Sequence, residues 1–127
     1  MSFVVFDSGA LIAVERGNRK VQALLERIGE LGMTVLVPAG VVAEVWRDGA
    51  RQARVARLLA AKDTRIVAFD EVRARAVGVL LGTAGAEDVV DASVVLCARE
   101  HGSNVAVLTS DSADLGKLDA KLPLIAI

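Results

Sequence analysis

Short apolar runs without polar alternation recur along the chain, separated by longer segments of mixed character. They occupy residues 3–6, 35–37, 66–69, 105–108 and 124–127. A continuous apolar run of this length is typical of a strand that is buried on both faces. The first four runs are followed by Asp, Pro or Thr-Ser-Asp, residue types that commonly begin a turn or cap a helix. The pattern therefore predicts about five strands in a mainly parallel sheet.

Between the runs, the apolar residues recur with helical spacing. The clearest stripes lie in residues 21–28, 55–59 and 90–98. Strands that alternate with helices predict right-handed crossovers, which place helices on both faces of the sheet. We expect a three-layer α/β/α domain with a mainly parallel, roughly five-stranded sheet. We also expect a small-residue loop at 82–85, dividing a helix that begins near Asp70 from one that begins near Asp88.

Composition narrows the class of protein. The 127 residues are 54% apolar and 24% charged with a net charge of −1, which predicts one folded domain over residues 1–127 and argues against a strongly basic nucleic-acid binder. Cys97 and His101 are the only residues of their types, so neither an intramolecular disulfide nor a Cys/His zinc set is possible and a metal would need oxygen ligands. Without a signal-peptide pattern or a membrane-length apolar segment, we expect a cytoplasmic protein.

Acidic side chains follow the predicted strands at their carboxyl ends. Asp7 follows the first strand, and Asp111 and Asp114 follow the fourth. Asp88 and Asp91 stand three residues apart and share one face of a later helix. Open parallel sheets bind ligands beyond the carboxyl ends of their strands, where the strand order reverses. We therefore expect these acids to converge on one crevice.

Helix capping is the competing explanation for an acid at such a junction, because an Asp there usually accepts an N–H of the first helical turn. Capping is the better explanation, taken singly, for Asp7, Asp70, Asp88 and Asp111. Glu44 and Asp91 instead lie inside predicted helices among apolar neighbours, where an unpaired carboxylate is costly. Several converging carboxylates repel one another unless a divalent cation neutralises them, and Mg²⁺ or Mn²⁺ suits an all-oxygen site.

The acids are held in four segments of fixed order. These are Asp7-Ser8-Gly9-Ala10-Leu11-Ile12-Ala13, Pro38 with Glu44 downstream, Asp88-Val89-Val90-Asp91-Ala92, and Thr109-Ser110-Asp111-x-x-Asp114-Leu115. In order and spacing this set resembles the acidic motifs of PIN-domain ribonucleases, and most closely those of the VapC-type toxins of toxin–antitoxin pairs. The resemblance covers essentially the whole chain and implies a PIN-like fold.

The resemblance also implies which residues form the site. The metal-binding and catalytic acids would be Asp7, Glu44, Asp91 and Asp111. Asp91 is preferred over Asp88 because it precedes Ala92, as the corresponding acid of the family precedes Ala, while Asp88 and Asp114 are further candidate ligands. Hydroxyl groups that would orient the acids belong to Ser8, Thr109 and Ser110. Ser and Thr at such junctions are also ordinary capping residues.

The function implied by the resemblance is hydrolysis of RNA phosphodiester bonds by a water molecule activated by Mg²⁺, with Mn²⁺ as a plausible substitute, leaving 5′-phosphate and 3′-hydroxyl ends. The implied partners are the RNA substrate, a cognate VapB-like antitoxin and a second copy of the chain, with no membrane. One or two bound cations can activate water, neutralise the phosphate and stabilise the leaving oxygen, so no protein nucleophile is needed.

Basic residues offer candidate RNA contacts. Four recur at helical spacing and are expected to line one helix face: Arg47, Arg51, Arg54 and Arg57. Arg16, soon after the first acidic segment, is a second candidate. The alternative for the stripe is an ordinary solvated helix face. Trp46 is expected in the core by default, with an interface to a dimer mate or an antitoxin helix as the alternative.

Two other functions remain open at the level of the sequence. A phosphoacceptor receiver domain would use Asp70 as its phosphorylated residue, but Asp7 lacks the acidic neighbour and the last strand lacks the following Lys that such a domain needs. A catalytically silent PIN-like module that only binds RNA or protein would keep the same acids. We rank it below an active nuclease because the acidic quartet is complete.

Overall fold

The elements of the fold follow the predicted alternation of strands and helices. The computed structural model describes residues 2–127. Its five strands are β1 Phe3–Phe6, β2 Thr34–Pro38, β3 Thr64–Val67, β4 Val105–Thr109 and β5 Leu124–Ala126. Across the same residues the seven helices are α1 Ser8–Glu15, α2 Arg19–Glu30, α3 Ala39–Val45, α4 Ala53–Ala60, α5 Glu71–Ala84, α6 Val89–Glu100 and α7 Ser112–Leu118.

The strands form one parallel sheet in the order β3-β2-β1-β4-β5. The chain builds outwards from β1 to β3 and then returns to the other side of β1, so the strand order reverses between β1 and β4. The register there pairs Val5 with Val107 and Phe6 with Leu108, which aligns the carboxyl ends of the two strands. The three-layer α/β/α class and the parallel five-stranded sheet predicted from the sequence are confirmed.

Helices cover both faces of this sheet. Residues of α2 lie against Val4 and Leu108, whereas His101, directly after α6, stacks on Phe3 with 4.7 Å between ring centroids. Successive residues of a strand point to opposite faces, so Phe3 and Val4 face different layers. The four strand residues that pair centrally are fully buried, as expected for strands enclosed on both sides.

Aspartates begin four of the helices, as the capping hypothesis predicts. Each carboxylate accepts the N–H three residues further on, for Asp7, Asp70, Asp88 and Asp111. The donor–acceptor distances run from 2.8 Å at Asp7 to 3.3 Å at Asp111. Such a bond satisfies one of the N–H groups that a helix start leaves without an intrahelical partner.

Two local predictions are wrong. The third apolar run forms a strand only over Thr64–Val67 and lies at the edge of the sheet, where Ile66 is exposed and Phe69 projects from the following loop. An edge strand has a neighbour on one side only, so its apolar residues need not be enclosed. The loop expected at 82–85 is shorter, because α5 continues to Ala84 and ends at Gly85, whose φ of 64° is the left-handed conformation typical of helix ends.

The prediction that four arginines line one face of a helix is also wrong. Helix α4 begins at Ala53, so Arg47 and Arg51 lie in the preceding loop rather than on one face with Arg54. Trp46 is 38% exposed, which contradicts the expectation of core packing. It covers Gly49, where a Cβ would come within 3.0 Å of the indole ring.

No helix within residues 2–127 has the length and apolar character needed to cross a membrane.

We expect the cap at Asp70 to stabilise the fold measurably. Asp70→Ala should lower the free energy of unfolding by about 1 kcal/mol, because the Arg73 N–H loses its acceptor. Asp70→Asn retains an acceptor and should lower the free energy of unfolding by only about a few tenths of a kcal/mol. Urea denaturation of the two variants measures both effects. Equal losses would instead assign the stabilisation to the ion pair of Asp70 with Arg73, whose charged atoms lie 3.5 Å apart.

Candidate active site at the strand-order reversal

Asp7 is the most enclosed acid of the candidate site. It lies directly after β1, is only 5% exposed, and holds the Ala10 N–H with Oδ1 at 2.8 Å. Burial raises the pKa of its carboxyl, and the negative charge of Asp111 raises it further, while hydrogen bonds from the Thr109 side chain and the Ala10 amide act in the opposite direction. Asp7 is therefore a carboxylate held in place by hydrogen bonds in a setting that disfavours its charge.

Thr109 connects the two strands that carry the acids. Its side chain is fully buried at the end of β4, and its hydroxyl accepts the Asp111 N–H at 2.8 Å. The same side chain hydrogen bonds to the Asp7 carboxylate. A hydroxyl has one proton to give and lone pairs to accept with, so Thr109 can serve both neighbours at once. The predicted supporting role of Thr109 therefore has a physical basis in these contacts.

The pKa of Asp91 is raised by the charges of the other aspartates of the site as well as by burial. Asp91 is half-buried in the first turn of α6, and burial raises the pKa of its carboxyl to about 6 with further contributions from four acids. In decreasing order these are Asp88, Asp111, Asp114 and Asp7. No ion pair in residues 2–127 provides a cation to Asp7, Asp88, Asp91 or Asp111, and Asp114 has only Lys117 at 3.7 Å. The crevice is therefore an uncompensated negative site.

Glu44 contributes to neither of the pKa shifts found in this cluster. It lies in the last turn of α3 and is exposed to solvent. The argument that apolar neighbours in the sequence make its charge costly is thus wrong, because Val41 and Val45 point into the core while Glu44 points out.

The donor chemistry of the cluster fits a divalent cation, although the side chains do not form a closed cage. The carboxylates of Asp7, Asp91 and Asp111 offer the oxygen ligands that Mg²⁺ and Mn²⁺ prefer, and a cation would stabilise the charged form of Asp91, whose pKa is raised first by burial and then by the neighbouring acids. No group of three or more His, Cys, Asp or Glu side chains in the described part of the chain, residues 2–127, is close enough to hold a metal ion.

The segment after Asp7 contains two further features of the site. Ser8 Oγ is buried and has no hydrogen-bond partner within residues 2–127, an arrangement that normally demands an explanation. Gly9 was not among the site residues inferred from the sequence. A Cβ at Gly9 would lie 1.8 Å from Ser110 Oγ and 3.5 Å from Asp7 Oδ1, so the crevice closes against backbone there. The signal that could have found it is a glycine in the first turn of the helix that Asp7 caps, where a small residue allows close approach of a neighbouring segment.

The candidate RNA contacts fare differently. Arg47 donates to the carbonyl oxygens of Ala43 and Trp46 at the end of α3, and Arg54 donates to the Glu15 carbonyl at 3.1 Å. Both guanidinium groups therefore support the fold. Arg51 is highly exposed beside Asp48.

Comparisons with known proteins agree with this architecture. The model of the PIN domain family matches residues 4–121. Among solved structures, the fold is similar to a chain in the crystal structure of VapBC2 from Rickettsia felis bound to a DNA fragment from their promoter, with a TM-score of 0.70 over 98% of each chain and 13% identity. At that identity the likeness concerns the fold alone. No curated protein sequence matches the chain.

The raised pKa of Asp91 predicts a pH-dependent stability of the metal-free protein. Above pH 6 the folded state must hold this carboxyl charged, so Asp91→Asn should raise the free energy of unfolding by about 1–2 kcal/mol at neutral pH, a value reduced for the partial solvation of the side chain. The gain should shrink as the pH falls through about 6 and vanish below the ordinary value of 3.8, where the carboxyl is neutral in both states. Urea denaturation in EDTA measures it.

Asp63→Asn is the matched control, because Asp63 is exposed and precedes the edge strand β3. This substitution should change the free energy of unfolding by no more than about a few tenths of a kcal/mol at every pH. A gain at Asp91 that is the same at pH 4 and pH 7 would show that ionisation of the carboxyl is not its cause.

Proposed function

The chain belongs to the PIN domain family, and on that premise we propose that it is a metal-dependent endoribonuclease, acting as the toxin of a toxin–antitoxin pair. PIN domains are generally nucleases, and the observation that supports the proposal here is the aspartate cluster at the reversal of strand order. Asp7, Asp91 and Asp111 come from three separate elements, influence one another electrostatically and lack a basic partner within residues 2–127.

Asp7, Asp91 and Asp111 are the residues that would hold Mg²⁺, or Mn²⁺ in its place, with Asp88 and Asp114 beside them. When bound, such a cation supplies an activated water and neutralises charge on the scissile phosphate. The protein's own contribution is orientation. The cap bond from Ala10 fixes one oxygen of Asp7, and the bond between Asp111 N–H and Thr109 fixes the start of the loop that carries Asp111.

Protons are part of that contribution. With its pKa near 6, Asp91 carries a proton for part of the time in slightly acidic solution and must release it before its oxygens can act as ligands. Ser8 Oγ, buried without a partner in the described residues, is available to hydrogen bond to a group bound beside Asp7. Ser110 lies next to Asp111 and is exposed. These hydroxyls are the proposed supporting residues.

Glu44 is the fourth proposed ligand of the quartet and is carried by α3. Its side chain is exposed, so a rotamer change at Glu44 meets little packing resistance. Glu44 therefore stays in the proposal as the fourth acid.

The proposed protein partner is a VapB-like antitoxin. A solved structure with a similar fold is described as VapBC2 bound to a DNA fragment from their promoter, which supports an assembly of this kind for the present chain. Exposed apolar residues suited to a partner occur around Trp46, where Val42, Ala56 and Leu59 line a shallow groove between α3 and α4. The alternative interface role of Trp46 accords with its exposure.

The catalytically silent binding module is the second candidate function. One observation favours it: within residues 2–127 no three acids are close enough to hold a metal ion. The receiver-like alternative has no comparable support, because Asp70 follows the edge strand β3 and its carboxylate is engaged by the Arg73 amide and guanidinium.

Incubation of the purified protein with structured RNA and Mg²⁺ or Mn²⁺ tests the proposal. We expect cleavage that EDTA abolishes and that Asp7→Asn lowers by more than about 100-fold, since the loss of even an outer-shell partner of a metal costs about 10–100-fold. Asp63→Asn is the control and should retain activity. Cleavage that survives EDTA or Asp7→Asn contradicts the metal–carboxylate site, and RNA binding without cleavage by the intact protein establishes the silent module.

The variant Glu44→Gln, assayed in the same way, tests whether Glu44 is the fourth acid of the site. A loss similar to that of Asp7→Asn assigns Glu44 to the quartet, with the metal concentration for half-maximal activity raised as well. Unchanged activity and metal dependence remove Glu44 from the site.

The proposed homodimer has a candidate surface on α5. Val72 and Val79 are 78% and 71% exposed, and they lie two turns apart on one face of the helix. The nearby charges of Glu71 and Arg75 pair within the helix at 2.7 Å, so the face is apolar and locally neutral. Two copies of α5 packed about a twofold axis would bury both valines of each chain.

Light scattering on Val72→Lys and Val79→Lys checks this surface. A dimeric parent protein that becomes monomeric in both variants confirms it. Leu31→Lys is the matched control, because Leu31 is an exposed apolar residue at the end of α2. A monomeric parent protein, or dimers that persist in both valine variants, would contradict the assignment.

A further inference from the structure

A groove adjoins the aspartate cluster on the side of α1, and nothing so far accounts for it. It has a volume of about 330 Å³, which is within the range of small-molecule sites. One wall is a stripe of α1 at helical spacing, comprising Gly9, Ile12, Ala13 and Arg16. Asn18 and Ser110 complete the polar part of its lining. The groove is therefore bounded by one face of α1, the connection from α1 to α2, the connection from β4 to α7, and Ile127.

The near end of the groove touches the site. Ser110 precedes Asp111, and a Cβ at Gly9 would lie 1.8 Å from Ser110 Oγ and 3.5 Å from Asp7 Oδ1. The missing side chain of Gly9 thus leaves room for a continuous surface from the Asp7 carboxylate into the groove. The far end lies about 10 Å away, since seven residues of helix separate Gly9 from Arg16.

The polar side chains of the groove, those of Arg16, Asn18 and Ser110, can all donate hydrogen bonds, and Ile127 also lines it. Arg16 is exposed and takes part in no ion pair within residues 2–127. Asn18 uses Oδ1 to accept the Val21 N–H at 3.1 Å, which orients its NH₂ group away from the cap as a donor. The Arg16 guanidinium and the Asn18 NH₂ group favour an anion at the end of the groove that lies away from the aspartates.

The middle of the groove is apolar. Ile12 is 40% exposed, and it lies one turn of helix from Gly9 and one from Arg16. An exposed branched side chain flanked by Ala13 offers a flat contact surface without hydrogen-bonding groups. A nucleotide combines a base, which has an apolar face, with an anionic phosphate, so an apolar platform beside a guanidinium offers one contact for each of these parts.

We propose that this groove binds the nucleotide that flanks the cleaved bond, with its base on Ile12 and Ala13 and its phosphate at Arg16 and Asn18. The proposal rests on the proposed ribonuclease function and deepens it, because it gives the path of the RNA strand across the site, which runs along α1 from Asp7 towards Arg16. Ser110 marks the boundary between the groove and the acids.

Three variants test the groove without disturbing the acids. Arg16→Ala removes the cation, and Arg16→Lys restores charge without the planar fork of donors. Asn18→Asp keeps a side chain that caps α2 equally well but replaces the NH₂ donor by a carboxylate. The control is Arg19→Ala, because Arg19 is an exposed arginine at the start of α2 that does not line the groove.

Two measurements are needed. Steady-state cleavage of a short single-stranded RNA of mixed sequence should show a KM raised about 10-fold by Arg16→Ala and Asn18→Asp with kcat within about twofold, in keeping with the loss of a charge-assisted contact. Arg16→Lys should recover part of the loss. Fluorescence anisotropy with the same labelled RNA in EDTA should show the weaker binding without any turnover. The slope of log affinity against log salt should fall by about 0.7 for Arg16→Ala, the value for one phosphate of a single strand.

The outcomes separate the groove from the function on which it rests. Cleavage with an unchanged KM in Arg16→Ala and Asn18→Asp overturns the groove and leaves the nuclease intact. An equal effect of Arg19→Ala overturns it as well, because the contact would then be diffuse attraction. If the parent protein cleaves no RNA with Mg²⁺ or Mn²⁺, the proposed function fails and the groove assignment fails with it.

Discussion

Parallel pairing of β1 with β4 is the interaction on which the candidate site depends. The backbone register that aligns Phe6 with Leu108 makes the two strands end at the same edge, and the residue that follows each end region, Asp7 or Asp111, then begins a helix. Since β2 and β3 lie on the other side of β1, the connections that leave β1 and β4 diverge and open a crevice between them. Without this pairing the carboxylates would cap separate helices far from one another.

Capping and cation binding draw on the same carboxylates without conflict. An aspartate has two oxygens, and a cap uses one of them, as Asp7 Oδ1 does with the Ala10 N–H. The cap also sets the orientation of the second oxygen at little entropic cost, because the helix start already fixes the side chain. The four capping aspartates of this protein are therefore oriented by the helices that they cap. Three of them, Asp7, Asp88 and Asp111, are close enough to Asp91 at the crevice to raise its pKa. Asp70 lies at the sheet edge and remains structural.

The sequence predicts those parts of the molecule that depend on local periodicity or on burial from both sides. The inner strands and the capped helix starts are such parts. The edge strand β3 could not be read from apolar content, because exposure there depends on which strand has no outer neighbour. The exposure of Glu44 could not be predicted for a related reason: a residue's neighbours in sequence do not fix the direction of its side chain, which here follows from the burial of Val41 and Val45 on the opposite face of α3. Gly9 escaped notice because its role arises only from a contact with a residue about a hundred positions away.

That contact has an evolutionary consequence. Residues 9 and 110 share one volume, in which either a side chain at 110 or one at 9 can be accommodated, but not both in their present positions. Homologous chains that carry a larger residue at the position of Gly9 must therefore have a smaller or differently oriented side chain at the position of Ser110, just before the aspartate that follows β4. The two positions should covary, and their joint changes would alter the opening of the groove while leaving the carboxylates themselves unchanged. Substrate preference could then drift among relatives through a pair of small residues that are never themselves reactive.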